Sequence, residues 1–339
     1  IFVCYMQLSH NLQNLIFFFL NYNCMIFYYT YYLIMMNKKK FLNKNFTSEG
    51  NPRAYVELKK IDNLWFNTGT LCNLKCNDCY IESSPTNKNL QYINLKEVKK
   101  YIEEIKDNNF GTKYVGLTGG EPFMNPFILD ILDYLLKQKL KVLVLSNGMR
   151  PIQLKFKNLL NLSNKKNLTI RISVDHYKKN YHEAIRGFNT WKQLIDNIIW
   201  LSEKKFNLNI ASKLNKNESE ESLRNGFNKL FKKNQLKINA FDRNQLIVFP
   251  IMNSNNDATE ITQDCWKILN KSPKNIMCSN SRMIVKRQNE VDTKVLSCTL
   301  ITEDKEFELG KDLVSSKKKV FLNHPFCSQF CVLGNSSCS

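Results

Sequence analysis

The sequence predicts an α/β protein built on a parallel sheet, followed by a smaller, irregular, cysteine-rich C-terminal region. From Leu64 to Pro250 six short apolar runs alternate with stretches of helical periodicity. Alternation of that kind is satisfied by a parallel sheet with right-handed crossovers. Beyond about residue 250 the alternation stops, and six of the eleven cysteines fall after residue 264.

The elements follow in order. LWFNTGTL (64–71) reads as a first strand running into a cysteine loop, and INLKEVKKYIEEI (93–105) as a helix with Asn94 as its cap. YVGLTGG (114–120) is a strand ending in glycines, and FILDILDYLLKQ (127–138) the helix after it. KVLVLSNG (141–148) and LTIRISVDH (168–176) are the third and fourth strands, separated by a helical 151–161. Helices over 190–205 and 218–234 flank the strand LNIASK (208–213), and LIVFP (246–250) closes the series. A parallel sheet places its chemistry at the carboxyl ends of its strands. Cys72, Cys76 and Cys79, the GGE turn, Ser146–Asn147 and Asp175 all stand at such ends. Strand alternation puts Arg171, Ser173 and Asp175 on one face. His176 and His182 read as loop and helix residues, not as ligands.

With 43% hydrophobic residues the chain can bury a large core, which excludes global disorder. The formal charge of +19 invites a nucleic-acid partner. Lysine outnumbers arginine 41 to 8, however, and asparagine, isoleucine, phenylalanine and tyrosine are also abundant, the pattern of an AT-rich coding sequence. The lysines are spread along the chain as solvated faces, so neither nucleic acid nor membrane is expected as a partner. Residues 1–36 read as upstream sequence translated in frame, with a start near Met35 or Met36. The alternative is a membrane anchor, but Met25–Met36 is much shorter than the roughly 20 residues that span a bilayer. The reading is therefore a cytoplasmic protein with a core over 56–250 and a cysteine-rich region over 251–339.

The stretch LCNLKCNDCY holds three cysteines as C-x3-C-x2-C, and no cysteine lies between Cys79 and Cys265. A disulfide framework would not leave most of the large domain bare. Structural zinc wants four ligands, commonly in C-x2-C pairs, and would have to borrow one. Three thiolates on a four-iron cluster leave one iron open to a small molecule.

Cys72-x3-Cys76-x2-Cys79 after a first strand, with TGGEP (118–122) after the second, resembles the radical S-adenosylmethionine (SAM) superfamily. LSNG (145–148), RISVD (171–175) and HEAIRGFNTW (182–191) extend the similarity, which spans roughly residues 62 to 250. The resemblance implies a partial (β/α)6 TIM-like barrel, a [4Fe-4S] cluster on Cys72, Cys76 and Cys79, and SAM bound at its open iron. It implies that Gly119, Gly120 and Glu121 hold the methionyl amino end, with Ser146, Asn147, Ser173 and Asp175 as candidates for ribose and carboxylate. The same GGEP residues could equally form a tight turn with Pro122 opening a helix. Where the family has an aromatic residue before the third cysteine this chain has Asp78, and Tyr80 is the substitute for an adenine contact.

Cys265, Cys278, Cys298, Cys327, Cys331 and Cys338 resemble the C-terminal extensions (SPASM or twitch-like) that hold auxiliary clusters in several branches of that family. The pattern departs from them at Asp292, where glycine is usual, and in having C-x3-C late in the tail. Six thiols complete one four-cysteine cluster and not two, so Cys278, Cys298, Cys327 and Cys331 are expected to hold one; zinc in the same thiolates is the alternative. The implied activity is reductive cleavage of SAM to a 5′-deoxyadenosyl radical that takes hydrogen from a peptide or small metabolite, with reduced flavodoxin or ferredoxin as electron donor. RNA modification, or a non-catalytic iron–sulfur or zinc protein on the same fold, are the competing functions.

Overall fold

The computed structural model describes residues 40–252 and 258–337. The segment 1–36 and Cys338, on which expectations were placed above, lie outside the described residues.

A nine-stranded sheet organises the chain. Its strands are β1 (Asn63–Asn67), β2 (Tyr114–Thr118), β3 (Lys141–Ser146), β4 (Leu168–Ser173), β5 (Asn207–Lys213), β6 (Leu246–Phe249), β7 (Ser281–Val285), β8 (Lys294–Leu296) and β9 (Glu308–Gly310). Their order is β9-β8-β7-β1-β2-β3-β4-β5-β6, with every pair from β7 to β6 parallel and only β8 and β9 antiparallel. The six strands read from sequence thus form a parallel run in chain order. Helices α1 (Leu95–Asp107), α2 (Ile128–Lys137), α3 (Arg150–Gln153), α4 (Phe156–Leu160), α5 (Lys179–Arg186), α6 (Thr190–Glu203) and α7 (Glu220–Lys233) make the crossovers. The helical stretch at 151–161 is two short helices, not one. Asn94 caps α1 as expected: its side chain accepts from Glu97 N–H, and the Glu97 carboxylate accepts from Asn94 N–H, a reciprocal capping box.

The C-terminal residues, irregular in sequence, add three strands to the same sheet. β7 pairs in parallel with β1 along Asn63–Phe66, so the cysteine-bearing strand is interior to the sheet and not at its edge. All five residues of β7 are buried, which explains why no alternation marks it.

Two apolar layers follow from strand alternation. Leu64, Phe66, Val115, Leu117, Val144, Ile170 and Ile172 face the helices in one core. Trp65, Leu143, Leu145 and Met283 face the other way and pack with Val320, Leu322 and Phe330, so the C-terminal region covers the second face. Gly116 exists to make room there: a Cβ on it would sit 2.2 Å from the Trp65 ring. Among the described residues no helix is long and apolar enough to cross a membrane.

Candidate functional site

The ends of β1 to β5 converge on the cysteine loop. Beyond β1 the chain turns through Gly69, whose N–H donates to Asn67 Oδ1 at 2.9 Å. The GGE turn then lies along this segment: Gly120 N–H donates to Gly69 O at 2.8 Å and Glu121 N–H to Leu71 O at 3.1 Å. A Cβ on Gly119 would come within 2.5 Å of Gly69 O, and one on Gly120 within 2.3 Å of Leu71 O. Gly119 also has φ +139°. Both glycines are therefore demanded by backbone packed against the cysteine loop.

Cys72 is 5% exposed, with Cys76 and Cys79 half-buried beside it. Each thiol faces a donor: Leu74 N–H to Cys72 Sγ at 3.4 Å, Ser83 N–H to Cys79 Sγ at 3.3 Å, and the Arg186 guanidinium to Cys76. Burial pushes the Cys72 thiol up to about 11, helped by the negative charges of Glu121 and Cys76; burial also raises Cys76. Thiols so placed ionise only when something positive is bound to them.

Glu121 is 1% exposed and is held by the chain itself. Its carboxylate accepts from Ser146 Oγ at 3.0 and 3.1 Å, from Asn147 N–H at 2.8 Å and from Phe123 N–H at 3.1 Å. Pro122 opens the helical turn Pro122–Met124 that this last bond caps. Burial lifts the Glu121 carboxyl to about 7 against the pull of those donors. The residue thereby ties the end of β2 to the end of β3. Asn147 continues the chain of contacts, its Nδ2 lying 2.9 Å from Asn73 Oδ1 and 3.5 Å from Cys72 Sγ.

At the end of β4, Asp175 is clamped by Arg186 through Nε–Oδ2 at 2.5 Å and Nη2–Oδ1 at 3.3 Å. Burial pushes the Asp175 carboxyl up, but the Arg186 charge and its hydrogen bonds outweigh this and hold it below the usual carboxylate range. Arg186 ends α5, and that helix end docks on the cysteine loop, where Asn77 Nδ2 donates to Ala184 O at 2.9 Å. His182 is buried with its Nδ1 4.0 Å from Asp175 Oδ2, and His176 Nε2 lies 2.9 Å from Glu218 Oε2. Arg171 is buried and Ser173 half-buried on β4. Tyr80 is 39% exposed in the cysteine loop, and Asp78 is ion-paired with Lys213 at the end of β5. Arg186 and Lys213 were not singled out in the sequence. The HEAIRG segment pointed to the first, and nothing pointed to the second.

In the C-terminal region Cys278, Cys298, Cys327 and Cys331 line a single small cavity, walled by Ile276, Met277, Leu300, Phe307 and Phe326. Burial pushes Cys278 up to about 12, and it raises Cys298 and Cys327 as well. The negative charges of Cys298 and Cys278 raise Cys327 further. Cys265 stands apart, 3.4 Å from Thr262 Oγ1. Among the described residues no three His, Cys, Asp or Glu side chains stand close enough to hold a single metal ion.

Residues 66–225 match the family model of the radical SAM superfamily. The antilisterial bacteriocin subtilosin biosynthesis protein AlbA of Bacillus subtilis is 38% identical over 118 residues, 34% of this chain and 25% of AlbA. A GTP 3′,8-cyclase of Haemophilus ducreyi is 27% identical over 146 residues, 41% of each chain. The chain thus spans a quarter to two fifths of the length of these relatives. Among solved structures, SuiB of Streptococcus suis bound to S-adenosylmethionine superposes with TM-score 0.56 at 14% identity, over 75% of this chain and 65% of SuiB. The structure of native anSMEcpe with bound AdoMet gives 0.51 at 15% identity, over 78% of this chain and 80% of that one. Strand order, the cysteine loop beside the GGE turn and these matches agree that residues 66–225 form a radical SAM superfamily domain.

Proposed function

We propose that this chain is a radical SAM enzyme that modifies a peptide. The observation that carries the reading is the meeting of three thiols, the GGE turn and the Ser146–Asn147 strand end at one place. The donor set fits a cluster: three soft thiols, each facing an N–H that would stabilise a thiolate, with no fourth cysteine in the loop. Cys72, Cys76 and Cys79 would hold a [4Fe-4S] cluster. When bound, it supplies an open iron at which SAM is chelated and split by one electron to a 5′-deoxyadenosyl radical.

The chain's own residues position and shield that chemistry. Glu121 fixes the ends of β2 and β3 relative to each other, Arg186 places a cation beside Cys76, and the covered second face keeps water from the sheet. Gly119 and Gly120 would receive the methionyl amino end, Ser173 and Asp175 would bind the ribose and carboxylate, and Tyr80 would make the adenine contact. Reduced flavodoxin or ferredoxin would deliver the electron. The peptide substrate is supported by AlbA, a bacteriocin biosynthesis protein, and by the likeness to SuiB, which was solved with its precursor peptide SuiA. Cys278, Cys298, Cys327 and Cys331 would hold an auxiliary cluster. Zinc in the same four thiolates is the alternative occupant.

Anaerobic reconstitution with iron and sulfide, reduction and addition of SAM should release 5′-deoxyadenosine. Iron should load to about eight atoms per chain, falling to about four in Cys76→Ala or in Cys327→Ala. Only Cys76→Ala should lose SAM cleavage outright. An intact, reducible cluster that leaves SAM uncleaved would make this a binding protein instead.

A further inference from the structure

We propose that Asn147 is a positioning residue that sets the reduction potential of the cluster held by the cysteine loop, through an N–H···S hydrogen bond to Cys72. The inference rests on the radical SAM reading above.

The geometry fixes which way the amide points. Asn147 is 6% exposed, and its Oδ1 accepts from Met149 N–H at 3.0 Å. That contact identifies the oxygen end, so Nδ2 is the atom facing Asn73 Oδ1 at 2.9 Å and Cys72 Sγ at 3.5 Å. An amide nitrogen carries two hydrogens, and here each has an acceptor. Neither hydrogen is left over for a bound cofactor. The backbone of Asn147 is itself pinned, its N–H donating to Glu121 Oε2 at 2.8 Å. Cys72 and Cys79 also receive backbone N–H groups from their own loop, but the Asn147 donor comes from a different strand end, 75 residues on.

Such a donor acts on the electron, not on assembly alone. When an external low-potential one-electron donor reduces the cluster, no bond forms or breaks, and the added negative charge spreads onto the thiolate sulfurs. A fixed N–H dipole aimed at one of those sulfurs stabilises the reduced state more than the oxidised one. Removing it makes the cluster harder to reduce.

The test is an EPR-monitored redox titration of the reconstituted full chain, followed on the signal whose line shape responds to SAM. Asn147→Leu and Asn147→Asp should each lower the reduction equilibrium constant about tenfold, a shift of about 59 mV to more negative potential. Asn147→Asp keeps the shape and the acceptor for Met149 N–H but replaces the donor with a carboxylate, and Asn147→Leu removes the donor without adding charge, so the two together separate the lost dipole from packing and from added charge. Asn73→Ala, which removes the other acceptor and leaves the donor, should stay within twofold of the parent. Potentials of both Asn147 variants within twofold of the parent would overturn the proposal, as would a tenfold loss of SAM affinity with no change in potential. A parent chain that assembles no cluster at all would instead defeat the radical SAM reading.

Discussion

Arg186 grips Asp175 at two points, 2.5 and 3.3 Å, with both side chains largely withdrawn from solvent and the guanidinium also against Cys76. This pair joins the end of β4 to the end of α5, and through α5 to the cysteine loop. A buried pair of this kind is weak evidence of net stabilisation, because desolvation consumes most of the attraction. Breaking it is another matter, since one charge is left behind.

Arg186→Leu should therefore cost about 3–5 kcal/mol, because the Asp175 carboxylate stays buried without its cation. The double variant Asp175→Asn with Arg186→Leu should recover a large part of that loss, and Arg186→Lys, which cannot make the two-point contact, should fall between. Urea midpoints at constant slope measure all three. A single Arg186→Leu variant as stable as the parent would show that the clamp is dispensable to the fold.

Gly116 and Trp65 make a second, independent prediction. The indole lies flat over the glycine on neighbouring strands, and three of its ring carbons would stand 2.2–2.5 Å from an added Cβ. Trp65 is 1% exposed, buried in the layer shared with the C-terminal region. Gly116→Ala should cost about 1–3 kcal/mol by overpacking. Trp65→Leu should relieve that clash in the double variant, giving a non-additive cycle in thermal or urea unfolding. Additive single effects would mean that the ring moves aside freely.

Much of this was legible in the sequence because the signals are local. Five strand–helix repeats and a closing strand show their own periodicity, Asn94 and Glu97 spell a capping box, and three cysteines within eight residues announce a common ligand. Cys278, Cys298, Cys327 and Cys331, scattered over 54 positions of sequence, line one cavity. What could not be read depends on distance along the chain. β7 carries no alternation and pairs with a strand more than 200 residues earlier, so nothing local marks it. The Lys213–Asp78 ion pair spans 135 residues, and a lysine in a lysine-rich chain has no distinguishing mark. Glu121 was legible as important, but its three protein donors, Ser146 Oγ and the N–H groups of Asn147 and Phe123, became visible only once β2 and β3 stood side by side.

His182 supplies the last prediction, through pH. Burial drives its imidazole down to about 4, with the Asp175 charge opposing, and its Nδ1 has no hydrogen-bond partner. In the unfolded chain the same side chain titrates near 6.5. Between pH 6.5 and 4 the unfolded chain therefore binds a proton that the folded chain refuses, so His182 makes stability fall as pH is lowered through that window and level off below it. Glu121 acts with the opposite sign: lifted to about 7 from the ordinary carboxyl value, it makes stability fall as pH rises from about 4.3 to 7. The two slopes oppose each other in the parent chain, and a difference measurement separates them. His182→Phe keeps the edge contact with Trp191 and removes the titration. Measured anaerobically on the iron-free chain, the stability of His182→Phe relative to the parent should rise by up to about 3 kcal/mol on going from pH 7 to pH 4. A difference that stays flat across that range would place the His182 proton uptake outside the folding equilibrium.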